Sequence, residues 1–126
     1  GTSDDANNNN LVLRLSYGQT SVLLPCDLQA EGEQKLMADL AAHPEALRST
    51  VLIGGHHGSR HSSTEEFVRA VAPQVVLLSS GRGYQAPRPE GLEVFARQGL
   101  EVWQTGERGN LLLRSDGRRV SVQTSP

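Results

Sequence analysis

The 126-residue chain has a single cysteine, Cys26, so no intramolecular disulfide can form and the fold does not rest on oxidation. No apolar run approaches the ~20 residues that a membrane span needs, and no stretch reads as a signal peptide. An excess of basic residues is also missing. There are 12 Lys+Arg against 14 Asp+Glu, for a net charge of −2. That balance argues against a dedicated, strongly basic nucleic-acid binder. The charge is nevertheless uneven: from Gly81 onward there are seven arginines and no lysine (Arg82, Arg88, Arg97, Arg108, Arg114, Arg118 and Arg119). This stretch reads either as solvated surface or as a phosphate-facing patch.

What is present fits one domain able to bury a core without staples. Residues 1–10, with Asp4-Asp5-Ala6 and four asparagines, read as a flexible lead-in or a cloning remnant. Residues 11–126 carry the periodic pattern. Leu11, Leu13, Leu15 and Tyr17 alternate with polar residues, which predicts a half-buried strand. Gly18-Gln19 is a two-residue hairpin signal, and Thr20–Leu24 is the returning strand, stopped by Pro25.

Leu36, Met37, Leu40 and Ala41 predict a helix over 31–42, ending near Pro44. Thr50–Ile53 is a short strand. Ser63 as N-cap with Glu66 three residues later predicts a capping box, and Phe67, Val68 and Val71 supply that helix's inner face up to Pro73. The apolar run within 74–79 predicts a strand buried on both faces. A helix over 89–98 is closed by Gly99. A strand over 100–104 with Val102 inward, a turn at 105–110 and a terminal hairpin over 111–114 and 119–123 complete the order ββαβαβαβββ. The class is α/β, with an antiparallel entry and exit.

Gly54-Gly55-His56-His57-Gly58-Ser59 is the segment most suited to chemistry. Neutral imidazole is the commonest metal-binding side chain. Glycines let backbone turn sharply and approach a ligand. The C-terminal edge of strands is where α/β folds place their sites. Asp27 is the second feature, following a strand as a turn residue or N-cap would. An acid after one strand and a histidine after its neighbour can share a metal. Cys26, with no second thiol, reads as a buried inert side chain.

In order, Asn-Asn-Leu-Val-Leu-Arg-Leu-Ser-Tyr-Gly, Thr-Ser-Val-Leu-Leu-Pro-Cys-Asp27, Val-Leu-Ile-Gly-Gly-His56-His57-Gly-Ser-Arg-His-Ser-Ser and Ala-Pro-Gln-Val-Val-Leu-Leu-Ser-Ser-Gly follow one another. From about Asn8 to Arg114 this resembles the metallo-β-lactamase-like domain of ComEC-type DNA internalisation competence proteins. The His-His-Gly-Ser block with Ser62-Ser63 is the specific part.

The resemblance implies the C-terminal half of an αββα sandwich, a mixed sheet with helices on one face. It implies metal ligands at Asp27 and His57, with His56 and Ser59 as catalytic residues beside them. Arg60, Arg82 and Arg88 would contact nucleic acid. The complete domain would hold two divalent ions, zinc or manganese. Its partners would be DNA, single-stranded by preference, the complementary N-terminal half-domain and the channel portion of a bacterial inner-membrane protein.

The family's His-x-His-x-Asp-His motif does not occur in these 126 residues. Pro25-Cys26 stands where the family has Thr-Gly, Gly54-Gly55 where it has Val-Pro, and Tyr84-Gln85-Ala86-Pro87 lacks the histidine of Tyr-Gly-His-Pro. Two readings follow: the second half of a two-metal phosphodiesterase, inactive or weakly active alone, or a non-catalytic DNA- or partner-binding module with a decayed metal site. Without the first half, Leu11, Leu13, Leu15 and Leu77 are expected to lack a covering layer. At roughly 25 cal/mol per Å2 of apolar surface that exposure costs several kcal/mol, which predicts self-association.

Overall fold

Strand and helix alternate along the chain as the hydrophobic periods dictate, in the order ββαβαβαβββ. The computed structural model describes residues 12–25, 30–54, 64–78, 89–105 and 110–125. The strands are β1 (Leu13–Tyr17), β2 (Thr20–Leu24), β3 (Val51–Ile53), β4 (Val75–Leu78), β5 (Glu101–Gln104), β6 (Asn110–Ser115) and β7 (Val120–Ser125). The helices are α1 (Ala30–Asp39), α2 (Glu65–Val71) and α3 (Pro89–Arg97), with a short 3-10 turn at Pro44–Ala46. Helix α1 stops three residues before the expected Ala42.

A five-stranded sheet runs β1-β2-β3-β4-β5. The β1–β2 pair is antiparallel, and β2 through β5 are parallel. Successive right-handed crossovers that always step the same way along a sheet put every helix on one face. That is observed. Leu23, Leu52, Val76 and Leu78 point to the face where Phe67, Val68, Val71 and Phe95 are buried, with Leu36, Met37, Leu40 and Val102 packed around them. The β4 strand is buried on both faces, as its continuous Val-Val-Leu-Leu run requires.

The opposite face overturns one expectation. Leu77 is not left without a cover. It is buried with Val51 and Val75, and the β6–β7 hairpin lays Leu111, Leu113, Val120 and Val122 over them together with Val22, Ile53 and Trp103. Alternation along β6 decides this, because Leu111 and Leu113 face the sheet while Leu112 faces out. Among the described residues of this face, the β1 end stays open: Leu13, Leu15 and Tyr17 are 42%, 62% and 63% exposed. Leu11 lies outside the described residues.

The hairpin is fastened by its turn. The Gln19 N–H donates to the Gly117 carbonyl at 2.5 Å. The Thr20 hydroxyl donates to the Tyr17 carbonyl at 2.9 Å and lies 2.6 Å from the Ser115 hydroxyl. A hydroxyl has one proton, so Ser115 is the donor in that pair. Ser115 in turn accepts from the Gly117 N–H at 3.0 Å. The two turns meet too closely for a side chain at Gly18, where φ is +59° and a Cβ would sit 2.5 Å from the Gly117 carbonyl oxygen.

Candidate functional site

Four parallel strands end at the same edge of the sheet, at Leu24, Ile53, Leu78 and Gln104. The register places them side by side: Leu23 pairs with Leu52, and Ile53 with Leu77. Neighbouring strands lie about 4.8 Å apart. Asp27 follows β2 by three residues, and His56 and His57 follow β3 by three and four. Arg82 and Arg88 lie on the segment after β4. The fold therefore launches the segments that carry the expected acid and histidines from adjacent strands at the C-terminal edge. Asp27, His56, His57, Ser59, Arg60, Arg82 and Arg88 themselves lie outside the described residues.

Backbone bonds fix both ends of the histidine segment. On entry, the Gly54 N–H donates to the Leu77 carbonyl at 2.8 Å, extending the β3–β4 ladder by one residue. A Cβ at Gly54 would lie 2.1 Å from Cδ2 of Leu78, a fully buried side chain. The expected replacement of Val by Gly at this position thus has a packing counterpart, since Leu78 fills the space a side chain would take. On exit, Thr64 is the N-cap of α2 and its hydroxyl accepts from the Phe67 N–H at 3.4 Å. Ser63 was expected there with Glu66 as its capping-box partner. The cap sits one residue later, so Glu66 falls off the N3 position.

The acid that does reach the cap comes from another helix. Glu33 of α1 is buried, and its Oε1 accepts from the Thr64 backbone N–H at 2.9 Å. This is the bond a capping-box Glu makes within its own helix, here made across the fold. Sequence reasoning missed Glu33, because an acid in a helix's first turn reads as a favourable dipole partner on a solvated face. Only its neighbour Gly32, which is also buried, hints that this side of α1 faces inward.

Among the described residues no three of His, Cys, Asp and Glu come together as a metal set would. His43, the one described histidine, is exposed and lies 3.5 Å from Glu45. The remaining charged contacts are surface pairs: Glu65 with Arg69 at 3.2 Å and with Arg97 at 3.6 Å, and Arg97 with Glu93 at 2.9 Å. The hydrogen bond to Glu93, followed by that residue's charge, raises the Arg97 pKa further above its usual range. At the β6–β7 turn the N–H groups of Arg119 and Arg118 each donate to Asp116 at 2.8 Å. These bonds, that of Arg119 first, hold the Asp116 carboxyl below its ordinary value.

The chain is 34% identical over 122 residues to ComE operon protein 3 of Bacillus subtilis (strain 168), covering 95% of this chain and 15% of that protein. Its relatives include competence-type proteins. It is 33% identical over 109 residues to competence protein ComA of Neisseria gonorrhoeae, covering 85% of this chain and 15% of that one. It is 30% identical over 119 residues to recombination protein 2 of Haemophilus influenzae (strain ATCC 51907 / DSM 11121 / KW20 / Rd), covering 93% of this chain and 14% of that one. The chain thus spans about one seventh of the length of these relatives. No family model matches it. The similarity covers 85–95% of the chain rather than an isolated motif.

Proposed function

We propose that this chain is the second half of a two-metal phosphodiesterase or nuclease domain that acts on DNA during uptake for natural transformation. The observation that carries the reading is that β2 and β3 are neighbouring parallel strands, and that Asp27 and the His56-His57 pair follow their C-terminal ends. A carboxylate and an imidazole are a donor set suited to zinc or manganese. Asp27 and His57 would be the ligands. His56 and Ser59 would orient the phosphodiester, and Arg60, Arg82 and Arg88 would hold the flanking phosphates by charge-assisted hydrogen bonds. The bound ions would supply an activated water and neutralise charge on a phosphodiester oxygen.

The His-x-His-x-Asp-His motif that completes such a site is absent from these 126 residues, so the chain alone is inactive or weakly active. The open end of the sheet at Leu13, Leu15 and Tyr17 supports a further packing partner. That partner is the complementary half-domain in the longer protein and a second copy when the chain stands alone. The parent's membrane channel portion would be a further neighbour. No described helix is long and apolar enough to cross a membrane.

The test is calorimetric titration with Mn2+ and Zn2+. Binding is weak in the native chain and is lost in Asp27→Ala and in His57→Ala. Binding unchanged in both variants removes the metal assignment. The alternative, a DNA- or partner-binding module with a decayed site, is favoured by Ala86 in Tyr84-Gln85-Ala86-Pro87. It requires DNA binding without metal that weakens with salt and on substitution of Arg82 or Arg88.

A further inference from the structure

The opposite edge of the sheet, where the parallel strands begin, holds a cleft of about 370 Å3 lined by Arg14, Ser21, Arg48, Ser49, Thr50 and Gln74. Arg14 is held rigidly there. Its Nε donates to the Arg48 carbonyl at 3.2 Å and to the Ser49 hydroxyl at 3.3 Å. Its Nη2 donates to the Arg48 carbonyl at 2.7 Å and to the Ser21 hydroxyl at 3.3 Å, and its Nη1 to the Ser16 hydroxyl at 3.0 Å. Every one of these acceptors is neutral. Among the described residues neither Arg14 nor Arg48 has a carboxylate within ion-pair distance.

A guanidinium fixed by neutral acceptors keeps its full charge and a set orientation. It has five N–H groups, and one on Nη1 has no partner among the described residues. Arg48 adds a second cation whose side chain makes no hydrogen bond or ion pair among the described residues. Thr50 Oγ1 accepts from the Ser21 N–H at 3.1 Å, and its hydroxyl proton has no acceptor among the described residues. Glu45 also lines the cleft, but it is spent partly on His43. Gln19 lines the cleft and is bonded to the turn that carries Arg118 and Arg119, neither of which is ion-paired among the described residues.

We infer that this cleft binds a phosphate oxyanion, supplied by the backbone of a nucleic acid strand. The site lies at the start of β2, about 13 Å along the strand from its C-terminal end at Leu24. It depends on the DNA-handling reading for its ligand and not on the metal site.

The test follows backbone amide shifts of the 126-residue chain, in the absence of divalent metal, on adding inorganic phosphate and then a short single-stranded oligonucleotide. Both probes are expected to shift Ser21, Ser49, Thr50 and Gln74. Arg48→Ala leaves the fold intact and weakens oligonucleotide binding about fivefold, with a salt slope lower by about 0.7. Glu45→Gln strengthens it about twofold. Phosphate shifts without oligonucleotide shifts would overturn the nucleic-acid source and retain the anion site. Absence of both, or Arg48→Ala binding like the native chain, overturns the site itself. Loss of metal binding in Asp27→Ala leaves these shifts unchanged, so failure of either reading is told apart from failure of the other.

Discussion

The Oε1 atom of Glu33 accepts a hydrogen bond from the Thr64 backbone N–H at 2.9 Å, joining α1 to the first residue of the cap of α2. Glu33 stands a few positions after Asp27, and Thr64 closes the segment that holds His56 and His57. One buried carboxyl group therefore ties the return of the acid-bearing segment to the return of the histidine-bearing one.

Removing that tie leaves the part-buried Thr64 N–H without this acceptor. Glu33→Ala is expected to lower unfolding free energy by about 1–3 kcal/mol, and Glu33→Gln, which keeps an acceptor oxygen, by less than about 1 kcal/mol. Urea denaturation measures both. Equal losses in the two variants would mean that the side chain's volume matters and the hydrogen bond does not.

Gly18 is expected to tolerate no side chain. Gly18→Ala brings a Cβ to within 2.5 Å of the Gly117 carbonyl oxygen and places alanine at φ +59°. The cost is about 1–3 kcal/mol, taken mainly by the hairpin. Hydrogen exchange at the Gln19 amide, which donates to Gly117, reads the loosening directly. Native-like protection in the variant would contradict the close approach.

At Gly54 the obstacle is a core side chain rather than backbone strain. Gly54→Ala must displace the buried Leu78, with an expected loss of about 1–3 kcal/mol. Pairing it with Leu78→Val should recover part of that loss, because the shorter side chain makes room. A double mutant no better than the sum of the singles would exclude this contact as the cause.

The Asp116 carboxyl is held below its ordinary value by the N–H groups of Arg119 and Arg118. A depressed folded-state pKa contributes stability above the unfolded value, about 3.9, and that contribution is lost as pH falls through the folded value. The turn should therefore be intact at neutral pH and loosen only in strong acid. Amide shifts of Arg118 and Arg119 should titrate together below pH 4, and Asp116→Asn should abolish that titration. A midpoint at or above 4 would contradict the bonding.

The exposed Leu13, Leu15 and Tyr17 predict concentration-dependent self-association of the isolated chain, weakened by Leu15→Ser. Sedimentation velocity across a concentration series decides it. A strictly monomeric native chain at high concentration would count against an unfilled docking face.

Periodicity made most elements legible, because a strand's alternation and a helix's 3.6-residue repeat are local properties of the chain. The ββαβαβαβββ order, the doubly buried β4 and the helix-facing Phe67, Val68 and Val71 all follow from it. The His56-His57 and Asp27 segments could be singled out for the same local reason: residue type and position after a strand. What covers a face is not local. Leu77 gives no sign in sequence that β6 and β7 fold back over it, since that depends on where the chain goes after β5. Glu33 reads as surface until α2 is placed beside α1. Arg14 reads as the polar side of a strand until Arg48 and Ser49 arrive from 34 and 35 residues away to fix it. Short-range pattern determined the elements, and long-range packing alone decided which polar groups were buried or paired.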